Sequence, residues 1–137
     1  MVSVEDIAAV PLFRSFDADQ LRKLANWFHV ENAPQGSTLV GEGAHGYTFF
    51  VLAEGTAAVT ADGESLGMLG PGDFFGEVAI LGGGRRTATV TSTTPVRLLA
   101  MFGTEFRQLE VAFPVIASRI TETMQARTGA AVPPRLA

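Results

Sequence analysis

Residue types that bind sugars and phosphates stand close together in the middle of the chain. Glu77 follows Gly76 inside an apolar stretch, so we expect its carboxylate to face a partly dry pocket and to need hydrogen-bond donors. Arg85 and Arg86 follow, and each is a permanent cation whose planar donors fit two phosphate oxygens. Ribose hydroxyls would supply donors to the carboxylate. The spacing therefore predicts a site for a small phosphorylated sugar.

The residues between the acid and the arginines predict how such a site is built. Residues 76–81, GEVAIL, are typical of one short helical turn, whose free backbone N–H groups and positive dipole end favour a phosphate. The glycines at 82–84 let the chain turn back sharply. From Thr87 to Thr91, threonine alternates with alanine and valine, which predicts a strand that fixes the position of Arg86.

Residues 75–90, FGEVAILGGGRRTATV, resemble the phosphate-binding cassette of the cyclic nucleotide-binding domain family. That family includes catabolite-activator-type regulators, kinase regulatory subunits and cyclic-nucleotide-gated channels. The resemblance implies that Glu77 and the backbone of Gly76 hold the ribose 2′-hydroxyl, with Val78 as an apolar contact near the ligand. It further implies that Arg86 binds the cyclic phosphate, assisted by the backbone N–H groups of Ala79 and Thr87.

Two neighbours in the cassette have open roles. Arg85 stands where many members of the family have proline, and we expect it to face solvent or to form a local salt bridge. Thr87 is either a solvent-side strand residue or a hydroxyl that touches the phosphate and a purine edge. The resemblance favours cAMP as the ligand, with cGMP as an alternative.

The resemblance covers nearly the whole chain and implies an eight-stranded antiparallel jelly-roll β-barrel flanked by helices at both ends. Short apolar segments separated by glycines from Val30 to Phe102 independently predict a mainly β sandwich or barrel. Ser3 with Asp6, and Asp17 with Gln20, predict the starts of two short helices that pack outside the barrel. From about Thr104 the apolar spacing becomes helical.

Length and composition predict one domain. The chain has 137 residues, of which 47% are hydrophobic and 18% charged, enough for a compact core. We expect the cyclic nucleotide-binding domain to span residues 1–128 and residues 129–137 to form a flexible tail. In the family, the C-terminal helix swings over the base. The candidates for that lid in this chain are Arg119, Ile120, Thr123 and Met124.

Several classes of function are disfavoured by the composition. A net charge of −4, with basic residues mostly scattered singly, argues against a nucleic-acid partner. No apolar run approaches the ~18 residues that a membrane span needs, and Glu5 and Asp6 stand where a signal peptide would be basic, so we expect a cytoplasmic protein. With no cysteine and two histidines, neither a metal site nor a resident cofactor is expected. Nothing supplies a nucleophile with its base, so we expect no enzyme.

The expected function is that of a binding protein. No linker to an output module follows, so we expect a stand-alone sensor or a separately encoded regulatory subunit that signals to an unknown protein effector, as monomer or homodimer. The alternative is a protein-interaction module with the same fold that binds no nucleotide. For Glu77 and Arg86 the structural alternative is a buried ion pair between strands, which would not explain the glycines at 76 and 82–84.

Overall fold

The structure, a computed structural model, describes residues 3–41, 48–76 and 88–128. At the N-terminus, helix α1 spans Val4–Ala8, a 3-10 helix spans Pro11–Phe13 and helix α2 spans Ala18–Ala25. Both α-helices begin with the predicted capping residues. The Ser3 hydroxyl accepts from the Asp6 N–H at 3.2 Å, and Asp17 Oδ1 accepts from the Gln20 N–H at 2.8 Å. The two predicted helix starts are therefore confirmed.

Eight strands and two further helices make up the rest of the described chain. The strands are β1 His29–Ala33, β2 Thr38–Val40, β3 Thr48–Glu54, β4 Ala57–Ala61, β5 Glu64–Leu69, β6 Phe74–Phe75, β7 Thr89–Ser92 and β8 Val96–Phe102. Helix α3 spans Gly103–Ala112 and helix α4 spans Pro114–Thr128. The change from strands to helices near residue 104 is therefore confirmed.

The strands form two antiparallel sheets of four. The first sheet has the order β1-β8-β3-β6 and the second has the order β2-β7-β4-β5. The prediction of a mainly β fold with flanking helices is therefore confirmed. The pairings among the described residues do not close a barrel, so the closed eight-stranded barrel stays a prediction. Residues 129–137, the predicted tail, lie outside the described residues.

The first sheet lies between two apolar clusters. Along β3, Phe49 and Val51 pack with the helices, whereas Phe50 and Leu52 face the second sheet. The alternation follows from the geometry of a strand, whose successive side chains point to opposite faces. The same alternation in β8 and β6 divides the core into a helical cluster and an inter-sheet cluster. The helices therefore pack outside the two sheets, as predicted.

Gly55 sets the turn between β3 and β4. Its φ is +94°, and a Cβ atom there would lie 2.4 Å from the Pro95 carbonyl oxygen and 2.8 Å from Thr94 Oγ1. The next residue, Thr56, donates its N–H to Thr94 Oγ1 at 3.0 Å, which fastens this turn to the loop before β8. A side chain at position 55 would therefore have to displace the Pro95 carbonyl, which lies in the loop fastened to Thr56.

A Gly55→Ala variant should lose about 2–4 kcal/mol of unfolding free energy, because it combines a strained φ with a backbone clash. Gly63→Ala is the matched control, since Gly63 has φ +76° but no atom within 4 Å of the added Cβ. We expect the control to lose only about 1 kcal/mol. Urea unfolding measures both. Equal losses would show that the contact with Pro95 does not constrain the turn.

An ion pair ties the first helix to the start of β8. Arg97 Nη1 and Nη2 donate to the two carboxylate oxygens of Asp6, each at 3.1 Å. The side chains are 26% and 24% exposed, respectively. The Arg97 hydrogen bond, with help from the Ser3 N–H, lowers the pKa of Asp6 from 3.8 to about 2. The contact thus favours the folded chain whenever the carboxylate is ionised.

We expect Asp6→Asn to reduce the unfolding free energy at pH 7 by about 1–2 kcal/mol. The folded-state pKa of Asp6 is depressed, so its contribution is present above the unfolded pKa of 3.8 and is lost as the pH falls towards 2. The difference between wild type and variant should therefore narrow from pH 5 to pH 3 in urea unfolding. Glu110→Gln, on an exposed pair with Arg107, is the control. A difference independent of pH would contradict the assignment.

Candidate functional site

The short strand β6 leads directly to the predicted ligand site. Phe74 and Phe75 pair with Val51 and Phe50 of β3. The Phe75 ring stacks on Phe50 with centroids 5.0 Å apart and planes at 25°, on the inter-sheet side. The Phe74 ring lies 5.9 Å from Phe49, on the helical side. The aromatic pairs are therefore core residues, as predicted, and they fix the chain on both faces just before the site.

Gly76 follows this anchored strand and has φ +78°. That value lies in the left-handed region, which glycine adopts without the steric cost of a Cβ atom. The backbone at position 76 is thus held in a conformation that other residues resist. Position 76 therefore favours glycine, whereas the contact of its backbone with a ligand stays a prediction.

A tight turn before β6 sets the path of the chain into Gly76. Asp73 Oδ2 accepts from the Gly70 N–H at 2.8 Å, and the Asp73 N–H donates to the Gly70 carbonyl at 3.1 Å. The turn is tied to β3, because the Leu52 N–H donates to the Asp73 carbonyl at 2.8 Å and Leu52 accepts from Gly72 at 2.8 Å. Asp73 is a positioning residue that sequence reasoning missed, although Pro71-Gly72-Asp73 is a typical turn sequence.

The chain enters the second sheet at Ala88 and β7. Ala88 and Val90 are buried, whereas Thr89 and Thr91 are half-buried, which confirms the predicted alternation for the described residues. At the far end of β7, the buried Ser92 hydroxyl accepts from the Ser37 N–H at 2.8 Å and donates to the Pro34 carbonyl at 2.7 Å. The strand that follows the predicted phosphate ligand is therefore held firmly.

The predicted ligand residues between these two anchors lie outside the described residues. They are Glu77, Val78, Ala79, Arg86 and Thr87, together with the neighbouring Arg85. The structure defines where the chain leaves the first sheet, at Gly76, and where it joins the second, at Ala88. The roles of the residues in between stay predictions.

The predicted lid residues lie on α4, which packs against the N-terminal helices. Ile120 is buried in the helical cluster. Arg119 donates from Nη1 to Gln20 Oε1 at 3.3 Å, and its Cζ lies 5.4 Å from the centroid of the Phe16 ring. Thr123 and Met124 lie within α4, but their side chains are outside the described part. That any of the four covers a base stays a prediction.

Neither a metal-ligand cluster nor a membrane-spanning helix is found among the described residues. Within 3–41, 48–76 and 88–128, no three His, Asp or Glu side chains are grouped so that they could hold a metal ion. In the same ranges, no helix has both the length and the apolarity needed to cross a bilayer. The ion pair between Asp6 and Arg97 joins two structural elements, α1 and β8.

Comparison with known proteins shows the family. The model of the cyclic nucleotide-binding domain matches residues 30–110. A cyclic nucleotide-gated potassium channel of Mesorhizobium japonicum is 34% identical over 125 residues, covering 91% of this chain and 35% of the channel. A cAMP-dependent protein kinase regulatory subunit of Colletotrichum orbiculare is 33% identical over 102 residues, covering 73% of this chain and 26% of the subunit.

The solved structure of the catabolite activator protein of Thermus thermophilus is similar as well. It superposes with a TM-score of 0.78 at 26% identity, covering 88% of this chain and 59% of that protein. The chain belongs to the cyclic nucleotide-binding domain family. It spans about a third of the length of the curated relatives that it matches first.

A Gly76→Ala variant should lose about 1–2 kcal/mol of unfolding free energy, because alanine resists φ +78°. Gly70→Ala is the matched control six residues earlier, since Gly70 has no positive φ and no atom within 4 Å of an added Cβ. Thermal unfolding of the two variants measures the difference. A Gly76→Ala protein as stable as the control would show that the left-handed backbone is not required.

Proposed function

We propose that this chain binds a cyclic nucleotide, with cAMP favoured and cGMP as an alternative. The observation that carries the proposal is the left-handed Gly76, held at the end of an anchored strand immediately before Glu77, in a chain of this family. A glycine in that conformation lets a ligand approach the backbone closely. The names of the relatives, a cyclic nucleotide-gated channel and a cAMP-dependent kinase subunit, support the class of ligand.

The ribose end of the ligand is assigned to Gly76, Glu77 and Val78. The Glu77 carboxylate accepts from the 2′-hydroxyl, which distinguishes ribose from deoxyribose, and the Gly76 backbone contacts the same group. Val78 supplies apolar contact. The position of Glu77 two residues after the buried Phe75 supports this role, because a carboxylate near an apolar core needs hydrogen-bond donors.

The phosphate end is assigned to Arg86, with the backbone N–H groups of Ala79 and Thr87. A cyclic 3′,5′-phosphate carries one negative charge, which a guanidinium and backbone donors can satisfy together. The buried Ala88, two residues after Arg86 and immediately before β7, supports the assignment because it limits where that side chain can reach. Arg85 is not assigned a contact with the ligand.

Signal output is assigned to a ligand-driven movement of α4, which brings Arg119, Ile120, Thr123 and Met124 towards the base. Such a movement requires that the ligand bind one position of α4 more tightly than the other. The chain then acts as a sensor or regulatory subunit on a protein effector, by binding and not by catalysis. Closure of the two sheets into a jelly-roll barrel around the ligand belongs to the same proposal.

Calorimetry with cAMP tests the phosphate ligand. Arg86→Ala should raise the Kd about ten- to hundredfold, because it removes a charged partner and leaves the phosphate unpaired. Arg85→Ala is the matched control and should change the Kd by less than about threefold. Equal effects of the two variants would overturn the assignment of Arg86.

A thermal unfolding scan with cAMP, cGMP and adenosine 5′-monophosphate tests the class of ligand. A cyclic nucleotide at a hundredfold excess over its Kd should stabilise the folded chain by about 2.7 kcal/mol, which raises the Tm by several degrees. The linear monophosphate, with its different charge and geometry, is the control. No stabilisation by either cyclic nucleotide would contradict the proposal and favour a protein-interaction module.

A further inference from the structure

Two cation–π contacts join the region of α4 to the region of α2, and the cation comes from α2 in one and from α4 in the other. Lys23 of α2 places Nζ 5.1 Å from the ring centroid of Phe113, the residue between α3 and α4. Arg119 of α4 places Cζ 5.4 Å from the ring centroid of Phe16, the residue before the cap of α2. The α2 region and the α4 region therefore each supply one cation and one ring. Such contacts are favourable when the ring is partly desolvated.

A hydrogen bond reinforces the contact of Arg119. Gln20 Oε1 accepts from Arg119 Nη1 at 3.3 Å and also from the Asp17 N–H at 3.1 Å. A carbonyl oxygen has two lone pairs, so one amide group completes the capping box of α2 and holds α4 at the same time. We call the five residues Phe16, Gln20, Lys23, Phe113 and Arg119 the clasp.

The clasp adds directional contacts to the apolar packing of α4. Ile116, Ala117 and Ile120 of α4 are buried in the helical cluster with Leu21 and Leu24. Apolar burial alone is non-directional and tolerates small sliding movements of a helix. Phe113 and Arg119 lie six residues, or about 9 Å, apart along the chain. Two polar contacts at that separation fix both the translation and the rotation of α4.

We propose that the clasp holds α4 in its docked position and thereby sets the ligand affinity of the chain. This rests on the proposed function, in which Arg119 lies on the lid. In that function α4 moves towards the base, so the contacts of Arg119 with Phe16 and Gln20, and of Lys23 with Phe113, compete with ligand binding. The apparent Kd then equals the intrinsic Kd divided by the fraction of molecules with α4 released.

Lys23→Met tests the first contact, with Arg22→Met as the matched control. Both cations pair with Asp19, at 2.9 Å and 3.4 Å, but Lys23 additionally lies over Phe113. Without ligand, hydrogen exchange of the α4 amides should be about two- to fivefold faster in Lys23→Met, and the Kd for cAMP should fall by the same factor. Arg22→Met should match wild type in both measurements.

Gln20→Glu tests the second contact in the opposite direction. Glutamate preserves the capping box and makes the hydrogen bond to Arg119 charge-assisted. Exchange in α4 should slow by about two- to fivefold, and the Kd should rise correspondingly. Gln108→Glu, an exposed position on α3, carries the same change of charge as a control.

The two measurements separate the ways in which the inference can fail. If exchange in α4 is the same in Lys23→Met, Gln20→Glu and their controls, the clasp does not hold the helix. If exchange changes while the Kd does not, the clasp is not coupled to the site, and the inference is overturned. If wild type binds no cyclic nucleotide, the proposed function fails, whereas hydrogen exchange still decides whether the clasp holds α4.

Discussion

Strands β3 and β8 bury side chains on both faces, and the rest of the molecule is arranged around that constraint. Four consecutive residues are buried in each strand, Phe49–Leu52 and Leu98–Met101. Backbone N–H and C=O groups in such a dry layer must pair with neighbouring strands. Both strands accordingly lie inside the first sheet, with partners on either side. The helices and the second sheet are needed because each covers one face of this layer.

Local patterns made part of the fold predictable from the sequence. The capping pairs of α1 and α2 lie three residues apart, and the alternation in β7 repeats every two residues, so a short window contains the whole pattern. The doubly buried runs in β3 and β8 carry no alternation, so their faces could not be assigned. The contact between Asp6 and Arg97 joins residues 91 positions apart and has no local pattern.

Only part of the candidate site could likewise be predicted from the sequence. The motif from Gly76 to Arg86 marks its position, and the left-handed backbone of Gly76 agrees with the choice of glycine. The turn at Asp73 and the packing of Arg119 on Phe16 depend on which elements become neighbours. The resemblance to the family makes Arg119 a candidate for the lid, and that role stays a prediction. Its contacts with Phe16 and Gln20 pack α4 against the N-terminal helices.

Phe74 and Phe75 are neighbours of the same residue type, which affects how the register of β6 against β3 is determined. A slip of one residue would exchange the faces of the two rings, yet each cluster would still receive a phenylalanine. Phe49 and Phe50 of β3 likewise place one ring in each cluster. Side-chain chemistry therefore cannot distinguish the correct alignment from its neighbour. That discrimination falls to the residues at either end, which are the Asp73 turn, hydrogen-bonded to Leu52, and the left-handed Gly76.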